Sequence, residues 1–447
     1  MNIDRRSFLV TLAGAAAFPA LPAAADWRVG LASADITPPP GVWMAGYAAR
    51  KEPAQGAAQP LHAKAIAFED AGGRLAVIVT LDVLGLTEPV VERIAASVQR
   101  RHGLPREALV LCSSHTHSGP VIDDQLAVAY DLTPAQWDDV RASTARIEGQ
   151  AVAVVGQALD ALRPARLRWG QGAADFGANR RVAFGPDGPA DSAVPVLAVE
   201  RSGGKLAGIV FGYACHNTTL PATFVRYHGD YAGVAQAELE RRHPGITALF
   251  VAGCGADANP KPRGTIELAE QHGRTLADAV ERVLGGAAEV RGPLRRAFTS
   301  ATLAYAQAPD AEAWRRKLED ANAYVRRHAA LMLGEIAREG RTRAVEYAPL
   351  HVLRIGTLTF VAISGEVVVD YALALKKKYG DGTWVAGDTD AVFGYLPSLR
   401  VLHEGGYEGG EAMLYYGRPG PFADTVEAAV LGAVDALMTI TGGTKAR

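Results

Sequence analysis

Residues 111–120 read LCSSHTHSGP, from Leu111 to Pro120, an apolar run giving way to Ser113, Ser114, His115, Thr116 and His117 before Gly119-Pro120 turns the chain. On a strand, residues two apart point the same way, so strand geometry places His115 and His117 on one side. Two imidazoles at the mouth of a strand suit a metal site or an acid/base pair, and equally two hydrogen-bonded loop residues. Upstream, residues 90–101 have helical apolar spacing. Residues 61–69 and 75–86 are β-rich and joined by Asp70-Ala71-Gly72-Gly73, a hairpin signature. With a strand at 108–112, the order strand, helix, strand is a βαβ unit. It predicts an α/β fold with a mixed β-sheet core flanked by helices.

The rest of the chain extends this pattern. Pro38, Pro39 and Pro40 exclude helix near the start. Residues 134–162 read as one or two helices with Thr133 as N-cap. A short strand at 165–169 precedes a Gly- and Pro-rich loop over 175–191, and residues 193–200 and 206–215 form a second hairpin. Helix, strand and helix follow at 231–242, 248–251 and 265–284. The spacing then predicts one long charged helix over 310–338, two strands around Gly356, a helix over 367–379, a short strand at 384–385 and a long loop over 387–410. A helix over 425–440 closes the chain. With no repeat and no linker, one large α/β domain is expected.

Of 447 residues, 49% are hydrophobic and 21% charged, enough for a sizeable core. The net charge of −2, from 46 basic and 48 acidic residues, excludes a dedicated nucleic-acid binder, which carries a basic excess. Three cysteines without a CxxC exclude a disulfide framework. Cys112, Cys215 and Cys254 read as small buried thiols, with a Cys215–Cys254 bridge the alternative in an oxidising compartment. Residues 1–25 carry Arg5-Arg6, a short apolar stretch and an AAA end, the pattern of a removable export signal of the twin-arginine type. The mature protein, residues 26–447, is therefore expected in the periplasm or secreted. No later segment is long enough to span a bilayer.

Polar residues collect where apolar strands end: Ser114–Gly119, Cys215-His216-Asn217-Thr218-Thr219, residues 253–260, and Ser364-Gly365-Glu366. Open α/β sheets place their sites at such ends. His115, His216 and Glu366 are ligand types for a catalytic zinc, which takes three protein groups plus water. Each also has a plain alternative, His216 as a structural histidine and Glu366 as an acid in the first turn of a helix. Trp43, Met44 and Tyr47 either line a site mouth or pack. Asp82 and Asp257 either orient histidines or cap loops, and Asp230 reads as the cap of helix 231–242.

The chain resembles the amidase domain of the neutral (alkaline, non-lysosomal) ceramidases. The resemblance rests on ADITPP and GYA near the start, SSHTHSGP, Asn179-Arg180, CHNTT, GADANP, SGE and GYLPSLRVLHEGGYEGG, in the family's order from about residue 30 to 420. It implies one zinc ion per chain held by His115, His216, Glu366 and Tyr395, with His117 beside it as proton donor or substrate contact. Arg180 would hold the developing oxyanion. The implied chemistry is metal-assisted hydrolysis of an amide, an N-acyl bond in a lipid-like substrate, by metal-activated water. The same site on an ester or another polar periplasmic substrate, and a ligand-binding relative without turnover, are the alternatives. Two features depart from the family. Asn259 stands where the family's GDxSPN loop has serine, and an asparagine is not a nucleophile. The chain also stops shortly after helix 425–440, so the family's additional C-terminal immunoglobulin-like domain is not expected.

Overall fold

Strong alternation in the central strands sets the layers. In His62–Asp70, Ala63, Ala65 and Ala67 face one side while Ile66 and Phe68 face the other. Leu75–Leu81 divides Val77, Val79 and Leu81 from Ala76 and Ile78 in the same way. The computed structural model describes residues 27–181 and 188–445. The expected export signal and part of the Gly- and Pro-rich loop lie outside the described residues.

The main sheet has 13 strands. From one edge its path runs Leu294–Ala304, Val345–Ile355, Leu358–Ser364, Thr383–Thr389, Leu109–Ser113, Leu75–Leu81, His62–Asp70, Trp27–Asp35, Arg163–Ala173, Ala193–Glu200, Leu206–Tyr213 and Thr247–Ala252. Ala288–Glu289 pairs with Arg163–Ala173 off that path. Three neighbouring pairs are parallel and the others antiparallel, so the sheet is mixed. The expected βαβ unit is present, with helix Glu88–His102 linking parallel strands Leu75–Leu81 and Leu109–Ser113.

The sheet curls until its last strand, Thr247–Ala252, packs over its middle strands. Gly253, just past the last strand, bridges to Ala386 in Thr383–Thr389. One face therefore packs on itself, burying Ile78, Val110, Leu197, Val251, Phe360 and Trp384 in a shared core. Helices cover the other face. Glu88–His102 and Pro134–Asp160 pack on one stretch, Asp230–Arg242 and Ile266–Leu284 on a second, and Val369–Tyr379 with Val426–Ile440 on a third. Pro134–Asp160 is one helix, begun by a capping box in which Thr133 accepts from Gln136 N and the Gln136 side chain returns to Thr133 N.

Two sequence expectations are corrected. Residues 310–338 form two helices, Ala311–Lys317 and Ala323–Glu339. The Asn322 side chain caps the second by accepting from Tyr324 N at 2.9 Å, and the reversal lets Trp314 pack on Ala329 and Met332. Residues 387–410 are not plain loop. Strand Thr383–Thr389 runs into them, Tyr395–Leu396 pairs in parallel with Glu366–Val367, and helix Leu399–Glu404 follows. The edge strand Leu294–Ala304 has Arg295, Arg296, Thr299 and Ser300 among its apolar residues, which hides it from a pattern search. All three cysteines are buried and unbridged. No helix among the described residues is long and apolar enough to cross a membrane.

Candidate metal centre

The strand Leu109–Ser113 stops two residues short of His115, whose backbone sits in the left-handed region at φ 60°. The two histidines are therefore not brought together by strand alternation. A strained turn does it, a conformation non-glycine residues adopt only when their surroundings enforce it. The enforcement is visible. Ser114 N donates to Leu81 O, Asn217 Nδ2 donates to Ser114 O, and Thr116 pairs with Asn217 in an isolated bridge. Thr116 Oγ1 also donates to His228 O at 2.7 Å. Asn217 thus locks the histidine turn to its neighbour, the loop that carries His216.

Each ring is then pinned from behind. His115 Nδ1 lies 2.8 Å from Leu84 O, His117 Nδ1 3.1 Å from Gly46 O, and His216 Nδ1 3.0 Å from Gly255 O. A carbonyl only accepts, so all three Nδ1 atoms carry a proton, and each ring in its neutral form presents an Nε2 lone pair. Gly46 is required here: its φ is +94°, and a Cβ would lie 2.4 Å from His117 Nδ1. Glu366 follows strand Leu358–Ser364, two places along the path from Leu109–Ser113, on a turn at Gly365 with φ +84° that places it opposite Tyr395.

The free ends converge. Glu366 Oε2 lies 3.1 Å from His216 Nε2 and 3.3 Å from His115 Nε2. His216 Nε2 is 3.2 Å from the Tyr395 hydroxyl, and His115 Nε2 is 3.3 Å from His117 Nε2. His115, His117 and His216 form a group able to hold a metal ion, their ligand atoms within 4.8 Å of one another. A tetrahedron with metal–ligand bonds of about 2.0–2.1 Å has edges of about 3.3 Å, so these spacings fit a single ion. The donor set fits as well: imidazole nitrogens, a carboxylate and a phenol, each with its outward face occupied.

The electrostatics ask for a cation. Two buried carboxylates, Glu366 and Asp388, flank His115, the latter with Oδ1 3.3 Å from Nδ1. Burial opposes charge on His115, but Asp388 and Glu366 prevail and push it up to about 9. Burial, then Arg180, push His216 down to about 4, while burial and the two neighbouring histidines hold His117 well below the ordinary range. Burial would raise Glu366, yet His115 and the close approach of His216 hold it well below the usual carboxylate range. Burial lifts Asp388 to about 7. A proton on His115 supplies one positive charge to this pocket; a divalent ion would supply two.

Arg180 closes one side. Its Nε donates to Glu408 Oε1 at 2.6 Å, its NH2 group to the Tyr395 hydroxyl at 2.9 Å and its NH1 group to Asn259 Oδ1 at 3.3 Å. Burial works against its charge, but Tyr395 and Glu408 outweigh that and raise its pKa. Asn259 Oδ1 also accepts from Thr218 Oγ1 at 3.1 Å. Asp257 holds the arm bearing Arg180: its main-chain O accepts from Arg180 N at 2.8 Å, and Oδ2 from Asn179 Nδ2 at 3.0 Å. Of the site residues expected from sequence, His115, His117, His216, Glu366, Tyr395, Arg180 and Asn259 form one connected cluster.

Other expectations sort themselves. The Tyr47 ring lies tilted against His117, with centroids 4.9 Å apart, whereas Trp43 and Met44 are core residues. Asp82 accepts from His62 N and Gln236 Nε2, a structural role. Asp230 accepts from Tyr231 N at the start of its helix and from Leu220 N. Sequence reasoning missed Asp388, the last residue but one of strand Thr383–Thr389. It also missed Tyr416, whose hydroxyl donates to Glu366 Oε1 and which no pattern singles out.

Curled mixed sheet, helical cover and a buried nitrogen- and oxygen-donor cluster at the strand ends define an α/β protein with one candidate metal centre among the described residues. The family model described as neutral/alkaline non-lysosomal ceramidase, N-terminal, matches residues 27–259, and the chain belongs to that family. Two solved structures share the fold. The neutral ceramidase from Pseudomonas aeruginosa is 20% identical with a TM-score of 0.73, over 94% of this chain and 75% of that one. A ceramidase complexed with C2 is 19% identical with a TM-score of 0.73, over 95% of this chain and 76% of that one. No curated protein matches the sequence.

Proposed function

We propose that the protein is a zinc-dependent hydrolase that cleaves an amide, an N-acyl bond of a ceramide-like lipid. One observation carries this: three imidazoles with Nδ1 tied to backbone carbonyls present Nε2 atoms to one point beside Glu366 Oε2 and the Tyr395 hydroxyl. His115, His216, Glu366 and Tyr395 would hold the ion. Bound there, zinc supplies Lewis acidity at the scissile carbonyl and lowers the pKa of an adjacent water to about 7. The family and the names of the structural neighbours favour ceramide-type amides.

The chain's own groups do the rest. Arg180, fixed by Glu408, keeps a positive charge next to Tyr395, where it stabilises charge developing on the carbonyl oxygen. His117 is tied through Nδ1 to Gly46, which leaves Nε2 to take a proton from the attacking water and hand it to the leaving amine. Asn259 positions Arg180 and offers no nucleophile, so attack by water rather than by a side chain is the route that fits. The Arg5-Arg6 leader supports export through the twin-arginine route to the periplasm, with residues 26–447 forming the mature hydrolase.

Purified protein is assayed with a short-chain fluorescent ceramide beside matched ester analogues, with His115→Ala as control. Release of fatty acid from ceramide that His115→Ala abolishes is the expected result. Turnover of esters alone would reject the amide substrate, and turnover unaffected by His115→Ala would move the site elsewhere.

A further inference from the structure

Glu366 has two carboxylate oxygens, and only one faces the histidines. Oε2 lies against His216 and His115, while Oε1 accepts the Tyr416 hydroxyl. We propose that Tyr416 is a positioning residue that restricts Glu366 to a single ligating oxygen, and so sets the affinity and coordination number of the metal centre. The proposal rests on the zinc-site reading above.

Tyr416 touches none of the imidazole donors and lies 21 positions past Tyr395, in a segment of short turns. That segment is fixed independently of the site. Tyr415 N and Tyr416 N donate to Ala412 O, Gly417 N to Leu414 O and Arg418 N to Met413 O. The phenol therefore approaches Glu366 from a rigid platform, its ring edge-on to Tyr395 with centroids 6.4 Å apart. A phenol is a donor to a carboxylate, and the hydrogen bond it gives Oε1 is lost if that oxygen turns to share an ion. Without the phenol, Oε1 is a buried acceptor with no partner, and rotation about the terminal torsion brings it toward the same ion. The carboxylate then ligates through both oxygens, crowding the position needed for water. This gives Tyr416 the role that carbonyl oxygens play for the three histidines: fixing a ligand from behind, an arrangement whose loss typically weakens metal binding by about 10–100-fold.

The test uses the full chain, stripped of metal and titrated with zinc against a chromophoric chelator, and separately loaded with cobalt(II). Tyr416→Phe is expected to weaken zinc binding about 10–100-fold and to lower the visible absorption of the cobalt form as the coordination number rises by one. Tyr415→Phe, at a neighbouring ring with no contact to Glu366, is expected to change neither. In a Glu366→Gln background the further change Tyr416→Phe is expected to have little effect on zinc affinity. That cycle also decides the matter if Tyr416→Phe alone lowers the melting temperature. Tyr416→Phe with zinc affinity within twofold of wild type and an unchanged cobalt spectrum would overturn the proposal, as would equal losses in both backgrounds. Failure of the wild-type protein to bind zinc at all would instead overturn the zinc-site reading.

Discussion

Replacing Glu408 by glutamine keeps the side chain's volume and removes a charge that two arginines share. Glu408 is buried and accepts from Arg180 Nε and from Arg181 NH1, each at 2.6 Å. Unit charges about 4 Å apart interact by about 4 kcal/mol at an effective dielectric of 20. The glutamine carbonyl keeps one acceptor, a hydrogen bond to a charged group of about 1.5–3 kcal/mol. The restraint on Arg180 therefore falls by about 1–2.5 kcal/mol, a factor of roughly 5–60 at about 1.4 kcal/mol per decade. Arg181 stays anchored through Glu404 and Gly405 O, so the local fold is expected to persist. If Arg180 acts, as proposed, on charge that develops during reaction, kcat for the N-acyl substrate should drop roughly 5–60-fold while KM changes less than about threefold. Zinc content is the control. A kcat within threefold of wild type at full zinc occupancy would refute the idea that Glu408 aims Arg180 at the reaction centre. Loss of zinc would show that the effect passes through Tyr395 instead.

Other tests address stability. Asp390 is fully buried between Arg106 and His351, which outweigh burial and hold its carboxyl down at about 2. Its folded pKa lies below the ordinary 3.8, so the pair contributes stability above pH 4 that is lost as pH falls toward 2, roughly 2 kcal/mol in all. Asp390→Asn is expected to destabilise at neutral pH by about 3 kcal/mol and to lose that acid dependence. Equal acid slopes for the two proteins in pH-dependent thermal melts would contradict it. His328 is buried against Arg418 O, and burial pushes it down to about 4. A buried neutral histidine contributes stability above pH 6.5 that is lost as pH falls through 4. His328→Gln should therefore flatten the melting temperature between pH 6.5 and 4, and an unchanged profile would remove His328 from the account.

How far the sequence carries can be seen residue by residue. His115, His216 and Glu366 were legible because each follows an apolar run that can only be a buried strand, and polar residues at strand ends converge in curled α/β sheets. Tyr395 and Arg180 were legible through the family motifs alone. A tyrosine in a glycine-rich stretch and an arginine after a loop carry no local sign that they meet, and their 2.9 Å contact spans 215 positions. Asp388 and Tyr416 stayed hidden for the same reason: each acts through a partner far away in sequence, Asp388 through His115 after the neighbouring strand and Tyr416 through Glu366. The 310–338 region misled because charged helical spacing persists across the Asp320-Ala321-Asn322 turn, and the packing of Trp314 decides the break. Strand alternation offered a simple reason for pairing His115 with His117; the left-handed backbone at His115 replaces it.

The central claim is that the three imidazoles, Glu366 and Tyr395 are built around one metal ion. Its most direct test is elemental analysis of the purified chain after reconstitution with zinc and removal of excess. The account expects close to one zinc per chain in the wild-type protein and a large loss in His216→Ala, since a preformed site binds its ion tightly. Less than about 0.3 zinc per chain in folded wild-type protein would contradict it.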